Sequence, residues 1–361
     1  MKKIGILLGL LFYCLNLFAL VHLEEQNSCL KLETLYGEMI IEEPVLIDLI
    51  KSAPFERLKY IRQYGVVCHA RNEPEYTRFQ HSLGVFFLTK KYGAPLSEQI
   101  AALLHDISHT VFSHVGDIFY NSDYRTGKQS YQDEIHEQYL KESGIAAILQ
   151  KHGFADACNG TNKQCQRCFD QPLPGLCTDR IEYNLTGAYI DGMITQDELC
   201  TILSHLHFEK DEWFFDEVDN AKKFGLISLK LSESRWGSAW SAFIDYSAAQ
   251  AMKRACTLGL ITKNDIQFST DDIIWEKIAQ SKDEEIVQWI NRVQHSRESF
   301  CICDAEKSDL FVCGKFSGTD PLVLTEKGFK RISEIDAEYK EEYERVKKLV
   351  RSGAHIKYLR S

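Results

Sequence analysis

His105 and Asp106 stand side by side in Leu104-His105-Asp106-Ile107-Ser108-His109, with His81 upstream in Arg78-Phe79-Gln80-His81-Ser82 and Asp179 far downstream in Thr178-Asp179-Arg180-Ile181-Glu182-Tyr183. Two imidazoles and two carboxylates make a mixed nitrogen and oxygen donor set, which suits a borderline divalent ion. A set that small leaves coordination places for water and a ligand. If the four side chains meet, the fold must bring three distant segments to one point. No other feature of the chain constrains its architecture as much.

The segments that carry these residues read as helices. Phe79, Leu83, Phe86 and Phe87 recur at helical spacing within 77–92, and the run after Ser97, a candidate cap, combines strong helix formers with an apolar face. Asp179 opens a third helix after Pro172, Pro174 and Gly175. His81 would project from the first, His105 and Asp106 from the second. Helix is also expected over 220–232, 238–258, with Gly259 as a stop, and 271–293. Between 298 and 325 the composition turns to Cys, Gly, Ser, Val and Phe, which suits short strands, and a charged helix over 332–351 follows. Residues 121–130 and 156–174 read as loops. The fold class is therefore mainly α, a helical bundle over 21–295 with a Cys-rich loop at 156–177 and a small α+β appendage over 296–361.

A chain of 361 residues, 44% hydrophobic and 26% charged, can bury a large core. Its net charge of −10 argues against broad nucleic-acid binding, since a phosphate-binding surface shows as basic excess.

Lys2 and Lys3 precede an apolar run from Ile4 to Leu20, and the chain turns polar at His22-Leu23-Glu24-Glu25. Residues 1–20 read as a secretory signal peptide cleaved after Ala19, with an uncleaved membrane anchor as the alternative. The first reading places the protein outside the cell or in the periplasm. Of twelve cysteines, Cys14 lies in this segment. Cys158, Cys165, Cys168 and Cys177 cluster in one loop, where an oxidising compartment favours two disulfides and the Cys165-Gln166-Arg167-Cys168 spacing keeps a structural zinc open. Cys301, Cys303 and Cys313 form a second group, and Cys68, Cys200 and Cys256 read as unpaired buried thiols. Asn159-Gly160-Thr161 and Asn184-Leu185-Thr186 match glycosylation acceptors; Asn184 should face the core, which makes it a chance match.

Four ordered blocks, over 55–65, 78–85, 103–114 and 179–183, resemble the HD-domain phosphohydrolases, and within them the branch of the deoxynucleoside triphosphate triphosphohydrolases. The resemblance implies an HD-domain helical bundle that holds one divalent metal (Zn, Mn, Fe, Ni or Mg) on His81, His105, Asp106 and Asp179. It also implies a homo-oligomer, and a small phosphate ester as partner, a nucleotide by preference. His109, four residues after His105, would share its face on a continuing helix. The resemblance implies His114 as proton donor to the leaving oxygen, with Asp117 and His136 orienting or sharing that proton. Arg78 and Arg180 would meet phosphate, Arg78 through its planar fork. Gln63 and Tyr183 match residues set against the sugar.

The likeness is incomplete. The triphosphohydrolases grip the triphosphate with a cluster of cations on a later helix, and the stretch 236–246 here lacks them. Gly187 also stands where that branch has an acid. Metal-dependent ester hydrolysis is thus better supported than a triphosphate substrate. The alternative is a non-catalytic, metal-bound nucleotide sensor or partner-binding protein, against which His109, His114, Asp117 and His136 argue, because a structural ion needs none of them.

Overall fold

Thr77 starts the helix that carries His81. Its hydroxyl accepts from the Gln80 N–H at 3.3 Å while the Gln80 side chain accepts from the Thr77 N–H at 2.8 Å, a capping box. The computed structural model describes residues 20–26, 28–71, 76–121, 130–157 and 167–359. Helices dominate: α1 (Arg78–Lys91), α2 (Leu96–Leu104), α3 (Val115–Phe119), α4 (Tyr131–Glu142), α5 (Thr178–Ile190), α6 (Val218–Leu231), α7 (Ala239–Thr257), α8 (Asp271–Ala279), α9 (Glu284–Gln294) and α10 (Ala337–Ser352) are those that position the site. A π turn, Ser232–Trp236, joins α6 towards α7. α1 lies between α2 and α5, and one apolar core runs through all three. Its approach to α5 is so close that a Cβ on Gly84 would sit 2.6 Å from Glu182 Oε1. Only glycine permits that contact.

Among the described residues, three small sheets complete the fold. An antiparallel meander of β1 (Val21–Gln26), β2 (Cys29–Thr34) and β3 (Gly37–Ile41) leads by way of Tyr36, whose hydroxyl donates to the Glu182 carbonyl at 3.0 Å. A hairpin of β4 (Leu206–Glu209) and β5 (Glu212–Phe215) is extended, through a parallel pairing of Phe214 with Leu322, by β8 (Leu322–Thr325) and β9 (Gly328–Arg331). β6 (Phe300–Ile302) and β7 (Leu310–Val312) flank β10 (Ala354–Tyr358). The expected C-terminal α+β region is present, and α10 anchors it: the Tyr339 hydroxyl donates to the Thr319 carbonyl at 2.5 Å, with the ring set against Gly225 of α6.

Several local expectations need correction. The helix before His105 begins after Pro95, and Ser97 lies inside its first turn with no capping role. The run 271–293 is two helices, because Asp283 accepts from the Ile286 N–H at 3.1 Å and restarts the chain there. Asp336 divides 332–351 in the same way, accepting from the Tyr339 N–H at 2.8 Å. The two expected disulfides are not borne out. Cys168 and Cys177 are free, buried thiols, and no two cysteines are joined among the described residues. Both pack as core: the Cys168 N–H donates to the buried Glu98 carboxylate at 2.8 Å, and burial pushes the Cys177 thiol up to about 11. Cys158, Cys165, the Asn159 acceptor and the apolar segment through Ala19 lie outside the described residues. Cys200 is exposed. Asn184 is fully buried, as its place on α5 requires. Among the described residues no helix is long and apolar enough to cross a membrane.

α2 ends at Leu104, so His105 to His114 run through turns, and Phe112 and Ser113 both take left-handed backbone (φ 56° and 53°). Non-glycine residues hold that conformation only when their surroundings enforce it. The fully buried Asp271 does so here: Oδ1 accepts from the Phe112 N–H at 2.7 Å and Oδ2 from the Arg62 N–H at 2.8 Å. Arg57 donates to the His109 carbonyl at 2.9 Å and Ser113 Oγ to the Arg62 carbonyl at 2.7 Å. Asp271→Ala should leave two buried N–H groups without acceptors and lower the free energy of unfolding by about 2–5 kcal/mol. Urea denaturation checks this, and Asp271→Asn, which keeps one acceptor oxygen, should lose less.

Candidate metal centre

His81 Nε2 lies 3.2 Å from His105 Nε2 and 3.1 Å from Asp179 Oδ1, and 3.6 Å from Asp106 Oδ2. His105 Nε2 is 3.5 Å from Asp106 Oδ1 and 3.8 Å from Asp179 Oδ1. Three segments separated along the chain therefore meet as expected, and His81, His105 and Asp106 alone already form a group able to hold a metal ion.

The far side of each imidazole decides what its inner nitrogen can do. His105 Nδ1 faces the Ala102 carbonyl at 2.7 Å, and His81 Nδ1 faces Glu182 Oε2 at 2.5 Å; both partners can only accept, so each Nδ1 carries the proton. Both Nε2 atoms then face one another and two carboxylates, placed to give a lone pair to a cation or to hold a proton in its place. Such a set is complementary to a cation, and imidazoles fixed from behind by a carboxylate or carbonyl are the usual support of a metal ligand. The donors thus fit a divalent ion. Burial works to lower the His81 pKa, yet Glu182, Asp179 and Asp106 together push it up to about 10, the same demand for positive charge felt by a proton. Burial likewise works to raise Asp106, but Arg78 and the histidines hold it well below the usual carboxylate range.

Glu182 is the functional residue that sequence reasoning missed. It is buried, accepts from His81 and from the Tyr76 hydroxyl at 2.5 Å each, and takes the Thr186 hydroxyl at 2.8 Å on its other oxygen. Its spacing from Asp179, three residues on one helical face, was the available signal.

The remaining residues divide. His109 reaches Asp106 Oδ1 at 3.3 Å across a turn, not along a continuing helix, and burial beside Arg78 pushes it down to about 3. His114, at the start of α3 and still partly exposed, donates from Nδ1 to Asp117 Oδ2 at 2.9 Å, its ring 5.2 Å from that of His109. Asp117 Oδ1 accepts from the Tyr131 N–H at 2.6 Å. His136 is not at the cavity: on α4 it bonds Ser108 Oγ at 2.9 Å, and burial pushes it down to about 4. Arg78 is buried and lines the cavity, with Nη1 on Asp106 at 2.6 Å and Nε on Ser113 at 3.0 Å. Arg180 lines the cavity and donates to the Gly175 carbonyl at 3.1 Å. Gln63 and Tyr183 line it too, Tyr183 edge-on to Trp236 at 5.2 Å, and Gln63 Oε1 is buried without a hydrogen-bond partner.

The cavity above the centre holds about 850 Å³. Residues not foreseen from sequence complete its wall: Asp245 and Lys253 on α7, and the C-terminal segment from Phe311 to Lys315. Lys253 lies two helical turns beyond Asp245, past the stretch that lacks cations, and its ammonium donates to Asn121 Oδ1 at 2.9 Å.

The family profile described as "HD domain" matches residues 78–167, from Arg78 through the His105-Asp106 pair. The chain is 30% identical over 328 residues, 91% of its length and 98% of the relative's, to the uncharacterized protein YdhJ of Bacillus subtilis. It is 38% identical over 180 residues, half of each chain, to the metal-dependent phosphohydrolase cns2 of Cordyceps militaris. The crystal structure of a phosphohydrolase (BT4208) from Bacteroides thetaiotaomicron has the same fold, with a TM-score of 0.68 at 17% identity over 94% of this chain and all of that one. Ligand atoms gathered at a shared point, the His-Asp pair among them and a relative matched almost end to end assign the chain to the HD-domain superfamily of metal-dependent phosphohydrolases.

Proposed function

We propose that this site hydrolyses a phosphate ester, a nucleotide by preference, with His81, His105, Asp106 and Asp179 holding one divalent ion. The observation that carries the reading is the pair of inward Nε2 atoms, their rings held from behind by Ala102 and Glu182, that face two carboxylates at 3.1–3.8 Å. An ion bound there supplies a water of lowered pKa and polarises a phosphoryl oxygen. His114 protonates the departing oxygen, and Asp117 orients its ring and stabilises the imidazolium form. Arg180 meets the charge on the phosphoryl oxygens. Arg78 acts through Asp106 as a positioning residue, because both of its described hydrogen bonds stay inside the protein. His109, pushed down to about 3, stays neutral near physiological pH and supports Asp106.

The nucleotide preference rests on other residues that line the same cavity. Gln63 Oε1 is a buried acceptor without a partner, and Tyr183 with Trp236 offers aromatic surface beside it. A hydroxylated sugar answers both. The similarity to cns2, named a metal-dependent phosphohydrolase, supports the reaction class.

Phosphate release from nucleotides and simple phosphate esters, measured with Zn, Mn, Fe, Ni or Mg added to the purified chain, tests the reading directly. Binding without release under every metal would overturn it. His105→Ala should abolish both metal content and turnover, and normal turnover by a metal-free variant would reject the ligand set. Glu182→Gln should weaken metal binding about 10–100-fold by freeing the His81 ring, measured by metal titration of the folded variant.

A further inference from the structure

Asp245 has no role in the steps above, yet it stands on the cavity wall and also borders a side chamber of about 70 Å³. Among the described residues its carboxyl has no hydrogen-bond or ion-pair partner. The charged groups around it have interactions of their own. His114 and Asp117 face it from the start of α3 and are bonded to each other. Arg235, from the π turn, donates to Asp191 at 2.9 Å, and Arg71 lies over the Trp240 ring at 4.7 Å. Tyr246, Lys253 and, from the C-terminal wall, Cys313 and Lys315 line the larger cavity. The charge that Asp245 feels is that of Asp117.

Two neighbouring carboxylates with one set of donors between them do not both ionise. Asp117 has the donors, the His114 ring and the Tyr131 N–H, and they hold it below the usual range although burial works the other way. Asp245 has none, and burial, with Asp117 adding to it, pushes it up to about 7.

We propose that Asp245 is a further catalytic residue, a carboxylic acid that keeps its proton and donates a hydrogen bond to a phosphoryl oxygen of the bound ester. This rests on the phosphate-ester reading above. A neutral donor suits a wall where the expected cations are missing from 236–246. The nearby anion favours the protonated form further. Rising pH through the Asp245 pKa replaces a donor with a repelling charge, so kcat/KM falls on the alkaline side.

Asp245→Asn keeps the shape and an N–H donor but cannot ionise. In the Mn-loaded full chain, at a pH just above the Asp245 pKa where the free carboxyl is partly ionised, sulfate, a tetrahedral dianion with no titrating proton of its own, should bind with proton uptake, measured by calorimetry in two buffers of different ionisation heat. That uptake should be smaller in Asp245→Asn. For hydrolysis of p-nitrophenyl phosphate, the alkaline fall in kcat/KM should be present in the natural chain and absent in Asp245→Asn, and Asp245→Ala should lose about 100-fold. Equal proton uptake with an unchanged pH profile in Asp245→Asn overturns the proposal. Should no ester turn over while the difference in uptake persists, the hydrolytic reading fails and the protonated Asp245 stands.

Discussion

One buried carboxylate, Asp106, organises the centre. An ionised side chain that is 3% exposed is tolerable only if it is paired and hydrogen-bonded. Arg78 supplies the direct pair at 2.6 Å, and His109, His105 and His81 stand within 3.3–3.6 Å. These partners come from two places, α1 and the turns after α2. Satisfying one charge therefore fixes the relative position of both. The same requirement reaches outward: Arg78 Nε holds Ser113 Oγ, which donates to Arg62, and the left-handed pair Phe112-Ser113 is closed against Asp271. Removing Arg78 would expose a buried charge, so the arginine belongs to the scaffold of the site even though it borders the cavity.

α5 completes the arrangement from the other side. Asp179 and Glu182 lie nearly one turn apart on the same face, and the His81 ring fits between their carboxylates, Nε2 towards Asp179 and Nδ1 on Glu182. A ring clamped at both nitrogens has neither tautomeric nor rotational freedom. Close packing at Gly84 brings α5 near enough to achieve this, which makes the helix contact and the chemistry one requirement.

The parts of this design that follow local rules were legible in the sequence. α1, α5 and α7 carry helical apolar spacing with nearby caps or breakers, and His81, His105, Asp106 and Asp179 were identifiable because each sits in a recognisable block. What was not legible depends on packing across the chain. Arg78 read only as a phosphate ligand, because nothing local shows that Asp106 will also meet it. His136 read as a pocket residue, whereas α4 turns it towards Ser108. Asp283 and Asp336 looked like polar residues on continuous helices, since a side chain that caps and one that faces solvent are the same letter until the backbone turns. The cysteines at 168 and 177 suggested a cross-link because they cluster in one loop of a chain whose first residues read as a signal for export; burial against Glu98 and the core gives them another reason to be there.

The cavity has two halves of different physical character. The metal half is built from mutually paired charges on α1, the turns after α2 and α5, where any single replacement strands a partner. The opposite half comes from α7 and from the segment around β7, far along the chain, and its cations are Lys253 and the exposed Lys315. An exposed lysine such as Lys315 costs little to gain or lose, while Asp106 and its partners do not tolerate change. The chemistry of the centre is therefore tightly constrained by the fold, and the number of phosphates the cavity can neutralise is not. A chain can keep every ligand of the HD centre, lack the cations over 236–246, and still accept a phosphate ester of smaller charge, because the two halves answer to separate physical constraints.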